Sequence, residues 1–195
     1  MADGGTTSQA HEQVLLVAGR LFCEKGYAAV TMRDIAEALN MRQASLYYHA
    51  PEGKEQLFVE VIEETLSRYQ KGLVKFLSET EPRLGSQLRA VALWLVSQPA
   101  LDLGRFFRSD LPALSEKSAA QLMKHAHEGF IDQLKQLFIS AYERGEIRLV
   151  DATLMTMTLL SIINAVQEMA RYTQTPQEVL VQDMLDILLD GMRRR

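Results

Sequence analysis

The residues best able to do chemistry in this chain fall between Thr31 and Ala50, in the run TMRDIAEALNMRQASLYYHA. The side-chain amide of Gln43 carries the donor and acceptor that match an adenine edge, and Ser45, Tyr47, His49 and the nearby Lys54 carry donors suited to phosphate oxygens. The chemistry this set could do is recognition of a nucleic-acid duplex, without bond making or breaking. Two short, steeply crossing helices would have to position it. Such a pair needs a small residue at the crossing, a residue tolerant of left-handed geometry four positions later, and apolar anchors on both sides. Ala36, Asn40 and the trio Ile35, Met41 and Leu46 meet those needs. The spacing predicts a helix-turn-helix whose second helix enters the major groove with Gln43, Ala44, Ser45 and Tyr48 facing it, while the first crosses the backbone.

Charge constrains this expectation. The 195 residues carry a formal net charge of −4, so any duplex binding must come from a local patch and not from the molecule as a whole. Residues 1–55 hold five cations (Arg20, Lys25, Arg33, Arg42, Lys54) against seven carboxylates (Asp3, Glu12, Glu24, Asp34, Glu37, Glu52, Glu55). Between residues 40 and 54, however, Arg42 and Lys54 meet only Glu52, with His49 beside them. That footprint predicts modest affinity for arbitrary DNA and strong salt dependence.

The elements around this segment are helical. Val14, Leu15, Ala18, Leu21 and Phe22 recur at helical spacing, and Gly26 stands where a left-handed cap ends a helix. Thr31 and Asp34 form a capping box opening a second helix to about Leu39, and a third spans about 42–48. Pro51 and Gly53 precede a long helix over about 54–78. Shorter ones are expected over 84–97 and 101–109, between prolines at 82, 99 and 112 that push their preceding residues off helical geometry. A long helix follows over about 115–144, stopped by Gly145. Asp151 caps the next, over 152–172, and Thr175-Pro176-Gln177-Glu178 reads as a capping box with proline at the first helical position, opening a last helix to about Met192. With no alternating strand pattern, the fold class is all-α, with about nine helices. A flexible arm is expected over 1–10, a helix-turn-helix domain over 11–53 and a second domain over 54–195.

The blocks Leu21-Phe22-Cys23-Glu24-Lys25-Gly26-Tyr27, Thr31-Met32-Arg33-Asp34-Ile35-Ala36 and Leu46-Tyr47-Tyr48-His49 resemble, in order and spacing, the N-terminal domain of the TetR family of transcriptional regulators. The resemblance covers about residues 11–58; beyond them it extends only to helix number and order. It implies a three-helix DNA-binding head and a C-terminal helical domain for ligand binding and dimerisation. It also implies a homodimer on a palindromic operator, and release of that operator when a small-molecule effector fills the pocket. Carried over by position, it puts Gln43, Ala44 and Tyr48 on base edges, with Thr31, Ser45, Tyr47, His49 and Lys54 on phosphates and Arg42 beside them. This sequence departs at Asn40, where glycine is usual, at Arg42, where a Ser or Thr cap is usual, at Ala50, where a bulky aromatic is usual, and in a link through Pro51-Glu52-Gly53 one residue longer than the commonest form. Trp94, Phe106, Phe107, Met123, His127, Phe130 and Met155 fall on the segments from which the family builds its pocket, and nine methionines suit an adaptable apolar or amphipathic ligand.

Other constellations point elsewhere or nowhere. His125, Glu128 and Asp132 share one helical face but lack the matching second cluster of a di-metal bundle, and a solvated polar face accounts for them. Cys23, the one cysteine, reads as an inert thiol, and its solitude excludes an intrachain disulfide. No cofactor motif, P-loop, nucleophile elbow or Glu-x-x-His pair is present, so no enzyme is expected. The N-terminus lacks a signal-peptide pattern and the stretch Ala152–Gln167 is too short and polar to span a bilayer, which suggests the cytoplasm and no membrane partner. Apolar residues on more than one side of the helices over 152–192 predict a homodimer interface there. The leading expectation is a ligand-responsive repressor. The alternatives are an all-α ligand carrier or enzyme that keeps the helix-turn-helix as scaffold, and a DNA-binding architectural or activator protein with no ligand.

Overall fold

A computed structural model describes residues 4–99 and 102–193, with side chains from residue 9 onward apart from Leu103. The chain is all-α, and its helices, in order, are α1 (Gly4–Lys25), α2 (Met32–Ala38), α3 (Gln43–His49), α4 (Lys54–Ser78), α5 (Leu84–Val96), α6 (Leu103–Arg105), α7 (Glu116–Ala126), α8 (Asp132–Glu143), α9 (Ala152–Met169) and α10 (Gln177–Met192). A π turn over Phe106–Asp110 and a 3-10 turn over Leu111–Ala113 prolong α6, and a π turn over His127–Ile131 joins α7 to α8 without a break. Counting each of those prolonged runs as one helix, nine helices are present among the described residues.

Local chemistry sets most of the boundaries. Gly26 (φ 82°) and Gly145 (φ 75°) stop their helices in left-handed geometry, and Asn40 (φ 54°) makes the turn between α2 and α3. The Thr31–Asp34 capping box is complete, and the Asp151 carboxylate accepts the N–H of Leu154 to open α9. Three expectations change. The arm predicted over 1–10 is helical from Gly4, because nothing between Gly5 and His11 breaks the helix that follows; residues 1–3 lie outside the described ones. The Thr175–Glu178 box does not form. Pro176 is itself the cap, its carbonyl accepting from Val179 and Leu180, while Thr175 bonds to Thr173. Pro112 does not end its helix cleanly, since the N–H of Leu111 reaches back five residues to Phe106 and the chain passes the proline in a 3-10 turn.

The chain divides into two compact units, one of residues 1–65 and 102–125, the other of 66–101 and 126–195. The domain boundary expected at residue 53 is therefore not where compactness divides the chain: residues 54–65 and 102–125 pack with the first unit. In that unit α1, α2 and α3 pack on one another around Val14, Ala18, Phe22, Ile35, Ala36 and Leu46, with Leu57 and Phe58 of α4. In the second unit α5 packs against α8, α9 and α10, burying Leu88, Val91 and Ala92 of α5 alongside Leu134 of α8, Leu159 of α9 and Leu185 of α10. Each such large side chain contributes roughly 1.5–3 kcal/mol on leaving water. Among the described residues no helix is long and apolar enough to cross a membrane.

Candidate nucleic-acid interface

Leu46 is the one buried residue of α3 and anchors it against the head, which leaves the rest of the helix outward. Gln43, Ala44, Ser45, Tyr47 and Tyr48 are all exposed, Tyr48 at 77%. A tyrosine this exposed gives up its hydrophobic contribution, so its position answers to something other than the core. The structure thus brings the predicted groove-facing residues together on one surface. The cap differs from the usual: Arg42 is extended (φ −74°, ψ 141°) and its side chain makes no capping hydrogen bond, so its guanidinium is not spent on the helix.

The other predicted contacts have internal partners. The Thr31 hydroxyl donates to Asp34 at 2.6 Å, and the Thr31 N–H donates to the same carboxylate oxygen at 2.8 Å. These bonds hold the Asp34 carboxyl below its ordinary 3.8, the Thr31 hydroxyl contributing most. Lys54, half-buried, donates one ammonium N–H to the Tyr27 carbonyl at 2.9 Å and lies 4.1 Å from the centre of the Tyr27 ring, which leaves it two further N–H groups. His49 packs edge-on against Tyr48 at 5.6 Å and stands 6.2 Å from His11, whose Nε2 is 2.7 Å from Glu60.

One set of residues behind the head escaped the sequence reading. The Tyr27 N–H donates to Asp110 at 2.9 Å, and Arg105 donates to the carbonyls of Phe22 and Cys23, closing the end of α1. Arg105 Nε also lies 3.4 Å from Asp110. The two ends of Tyr27 are therefore held by Asp110 and Lys54, while its ring meets Phe22 and Phe58. Burial and the nearby Glu55 carboxylate push the Tyr27 phenol up. Asp110 has no local sequence signature, since its partner is 83 residues away.

The residues predicted to line a pocket divide between the units. Phe106, Phe107 and Met123 belong to the first, where the two phenylalanines meet edge-to-face at 5.3 Å. Trp94, Phe130, His127 and Met155 belong to the second. There Tyr69 touches both Trp94 (5.9 Å) and Phe130 (5.4 Å), and Phe76 lies 5.4 Å from Trp94. Gly72 makes this possible: a Cβ there would stand 2.0 Å from the indole. His127 does not share this cluster; as the first residue of its π turn it is exposed, while Phe130 three residues on is buried. Among the described residues no group of three or more His, Cys, Asp or Glu is gathered to hold a metal ion.

A helix-turn-helix with an outward third helix defines a DNA-binding class, and comparison with known proteins gives the family. Residues 14–61 match the profile of bacterial regulatory proteins, tetR family. The chain is 33% identical over 79 residues to the HTH-type transcriptional regulator LmrA of Bacillus subtilis, covering 40% of this chain and 42% of that protein. It is 35% identical over 78 residues to the HTH-type transcriptional repressor KstR2 of Mycolicibacterium smegmatis, covering 38% of each. The aligned part thus spans less than half of either relative. The fold as a whole is similar to AibR, whose structure was solved with isovaleryl coenzyme A and operator DNA, at a TM-score of 0.75 over 91% of this chain and 96% of that one, with 21% identity. Residues 14–61 of this chain therefore match the tetR family of bacterial regulatory proteins, and over most of its length the chain shares the fold of a solved regulator.

Proposed function

We propose that this protein is a ligand-responsive transcriptional repressor that binds a palindromic operator as a homodimer. The observation that carries the reading is the outward face of α3, where Gln43, Ala44, Ser45 and Tyr48 stand free of the core on a helix-turn-helix of the TetR type. In this reading Gln43, Ala44 and Tyr48 meet base edges. Arg42, Ser45, Tyr47, His49 and Lys54 meet phosphates, Lys54 alongside its internal bond, and Thr31 does so by exchanging one of its two bonds to Asp34 for a phosphate oxygen.

The effector is a small apolar or amphipathic molecule. The reading is supported by the aromatic cluster around Trp94 and Phe130, and by the name and contents of the relatives: KstR2 is called a repressor, and AibR was solved with an acyl-coenzyme A and operator DNA. The dimer uses the outward face of α9 and α10. Leu154, Ser161, Ala165 and Met169 of α9 are exposed at helical spacing, as are Met184 and Ile187 of α10. The hydroxyls of Thr158 and Ser161 are satisfied by the backbone one turn earlier, so this face is effectively apolar, and its small residues permit close helix approach.

The test is fluorescence anisotropy with the duplex immediately upstream of this protein's coding region against a scrambled duplex, followed by a screen for compounds that release the bound DNA. Selective binding reversed by an apolar compound is expected. Selective binding that no compound in a broad library reverses would overturn the effector half of the reading.

A further inference from the structure

Arg33 and Glu37 occupy neighbouring turns of one exposed side of α2, and Arg33 Nε donates to Glu37 Oε1 at 2.8 Å. Both side chains are open to water, at 79% and 63% exposure. One turn away, the Thr31 hydroxyl and N–H are held by Asp34. On the helix that a helix-turn-helix lays across the DNA backbone, two groups able to reach phosphate are therefore occupied by carboxylates of the same helix. Thr31 is spent on capping, a structural need. Arg33 is not, since α2 has its cap without it.

We propose that Glu37 is a specificity-determining residue that keeps Arg33 in reserve, so that Arg33 engages a phosphate only in the closely fitted operator complex. The proposal rests on the DNA-binding reading above. An exposed ion pair at this spacing is weak and exchanges readily for a better partner. A phosphate brought to hydrogen-bonding distance, where it accepts two guanidinium N–H groups at once, is that partner. In a loose complex with arbitrary sequence, water and counterions remain between protein and backbone, and Arg33 stays with Glu37, whose own charge adds repulsion. The head, already short of cations, thus gains one phosphate contact on its operator and forgoes it elsewhere, which widens the gap between specific and non-specific affinity.

The experiment measures affinity against salt for the operator duplex and for a scrambled duplex, using the full chain and the variants Glu37→Gln, Arg33→Ala and the double variant. Glu37→Gln should steepen the scrambled-duplex slope of log K against log salt by about 0.9, the value of one phosphate contact, which is roughly a further threefold loss of affinity between 50 and 200 mM salt. The operator slope should not change. Arg33→Ala should make the operator slope shallower by the same amount and leave the scrambled slope alone. The double variant should show the wild-type scrambled slope, which separates release of Arg33 from removal of a negative charge. If Glu37→Gln leaves the scrambled slope unchanged, or if its effect survives in the double variant, the reserve role is wrong while the DNA-binding reading stands. If the wild-type chain binds no duplex at any salt, both fall.

Discussion

Removing the Asp110 carboxylate should unfasten the first compact unit from within. Its side chain is 6% exposed, accepts the Tyr27 N–H at 2.9 Å and lies 3.4 Å from Arg105 Nε. Asp110→Ala would leave a buried backbone N–H without an acceptor, which costs about 1–3 kcal/mol. It would also leave Arg105 without its counter-charge. Arg105 is 26% exposed and keeps its bonds to the Phe22 and Cys23 carbonyls, so water and those carbonyls offset much of the 3–5 kcal/mol seen for fully buried pairs. The sum is about 3 kcal/mol. At roughly 2–4 °C per kcal/mol for a chain of this size, that is a Tm lower by about 6–12 °C. Asp110→Asn keeps an acceptor for Tyr27 and should cost only about 1 kcal/mol. Urea unfolding followed by circular dichroism reads both values, and fluorescence of Trp94, in the other compact unit, reports that unit separately. An alanine variant within about 0.5 kcal/mol of wild type, or an asparagine variant as damaged as the alanine, would refute this assignment of the energy.

Three further outcomes are expected. Gly72→Ala drives a methyl into Trp94, where the Cβ has 2.0 Å, and should cost about 1–3 kcal/mol with a shifted Trp94 emission maximum; unchanged emission and stability would contradict the packing. Asp34, Glu55 and Glu146 have lowered carboxyl pKa values: Thr31 holds Asp34 down and Ser115 holds Glu55 down, while at Glu146 burial works upward but is outweighed by the Leu84 N–H and by Arg144. Their stabilisation is complete above the ordinary carboxylate range and is lost as pH falls below it. An acid-unfolding curve should therefore move to higher pH when Thr31→Val removes the Asp34 hydroxyl bond, and a curve that stays put would contradict the capping box. Ala165→Glu and Ile187→Asp place charges on the outward face of α9 and α10. Sedimentation at micromolar concentration should show a dimer for the wild type and monomers for the two variants; dimers in both variants would remove that face from the proposed interface.

The legible parts of this fold are those decided within one turn of chain. Gly26, Asn40 and Gly145 adopt left-handed geometry because the sequence places permissive residues at helix ends, and Thr31 and Asp151 cap because their oxygens sit at the right spacing. Thr175 shows where such logic fails. Its hydroxyl has a competing partner in Thr173, and Pro176, with φ already fixed, serves as cap without it. The π turns at 106–110 and 127–131 each accommodate one extra residue, a choice made by packing: the second sets Gly129 against Gln70, where a Cβ would stand 3.0 Å from Oε1. The exposed residues of α3 could be read because one apolar residue, Leu46, fixes which side faces inward. The partners of Thr31 and Lys54 could be read only in part, and Asp110 not at all, since the Lys54 and Asp110 bonds join residues 27 and 83 positions apart.

The most direct measurement is the ratio of dissociation constants for a duplex recovered by selection from random sequence and for its scrambled counterpart, at one fixed salt, for the wild type and for Gln43→Ala. A wild-type preference of roughly a thousandfold or more is expected, reduced by about 1–3 kcal/mol in the variant at a single base position of each half-site. Equal affinity for the two duplexes, or a preference untouched by the substitution, would contradict the claim that the outward face of α3 reads DNA.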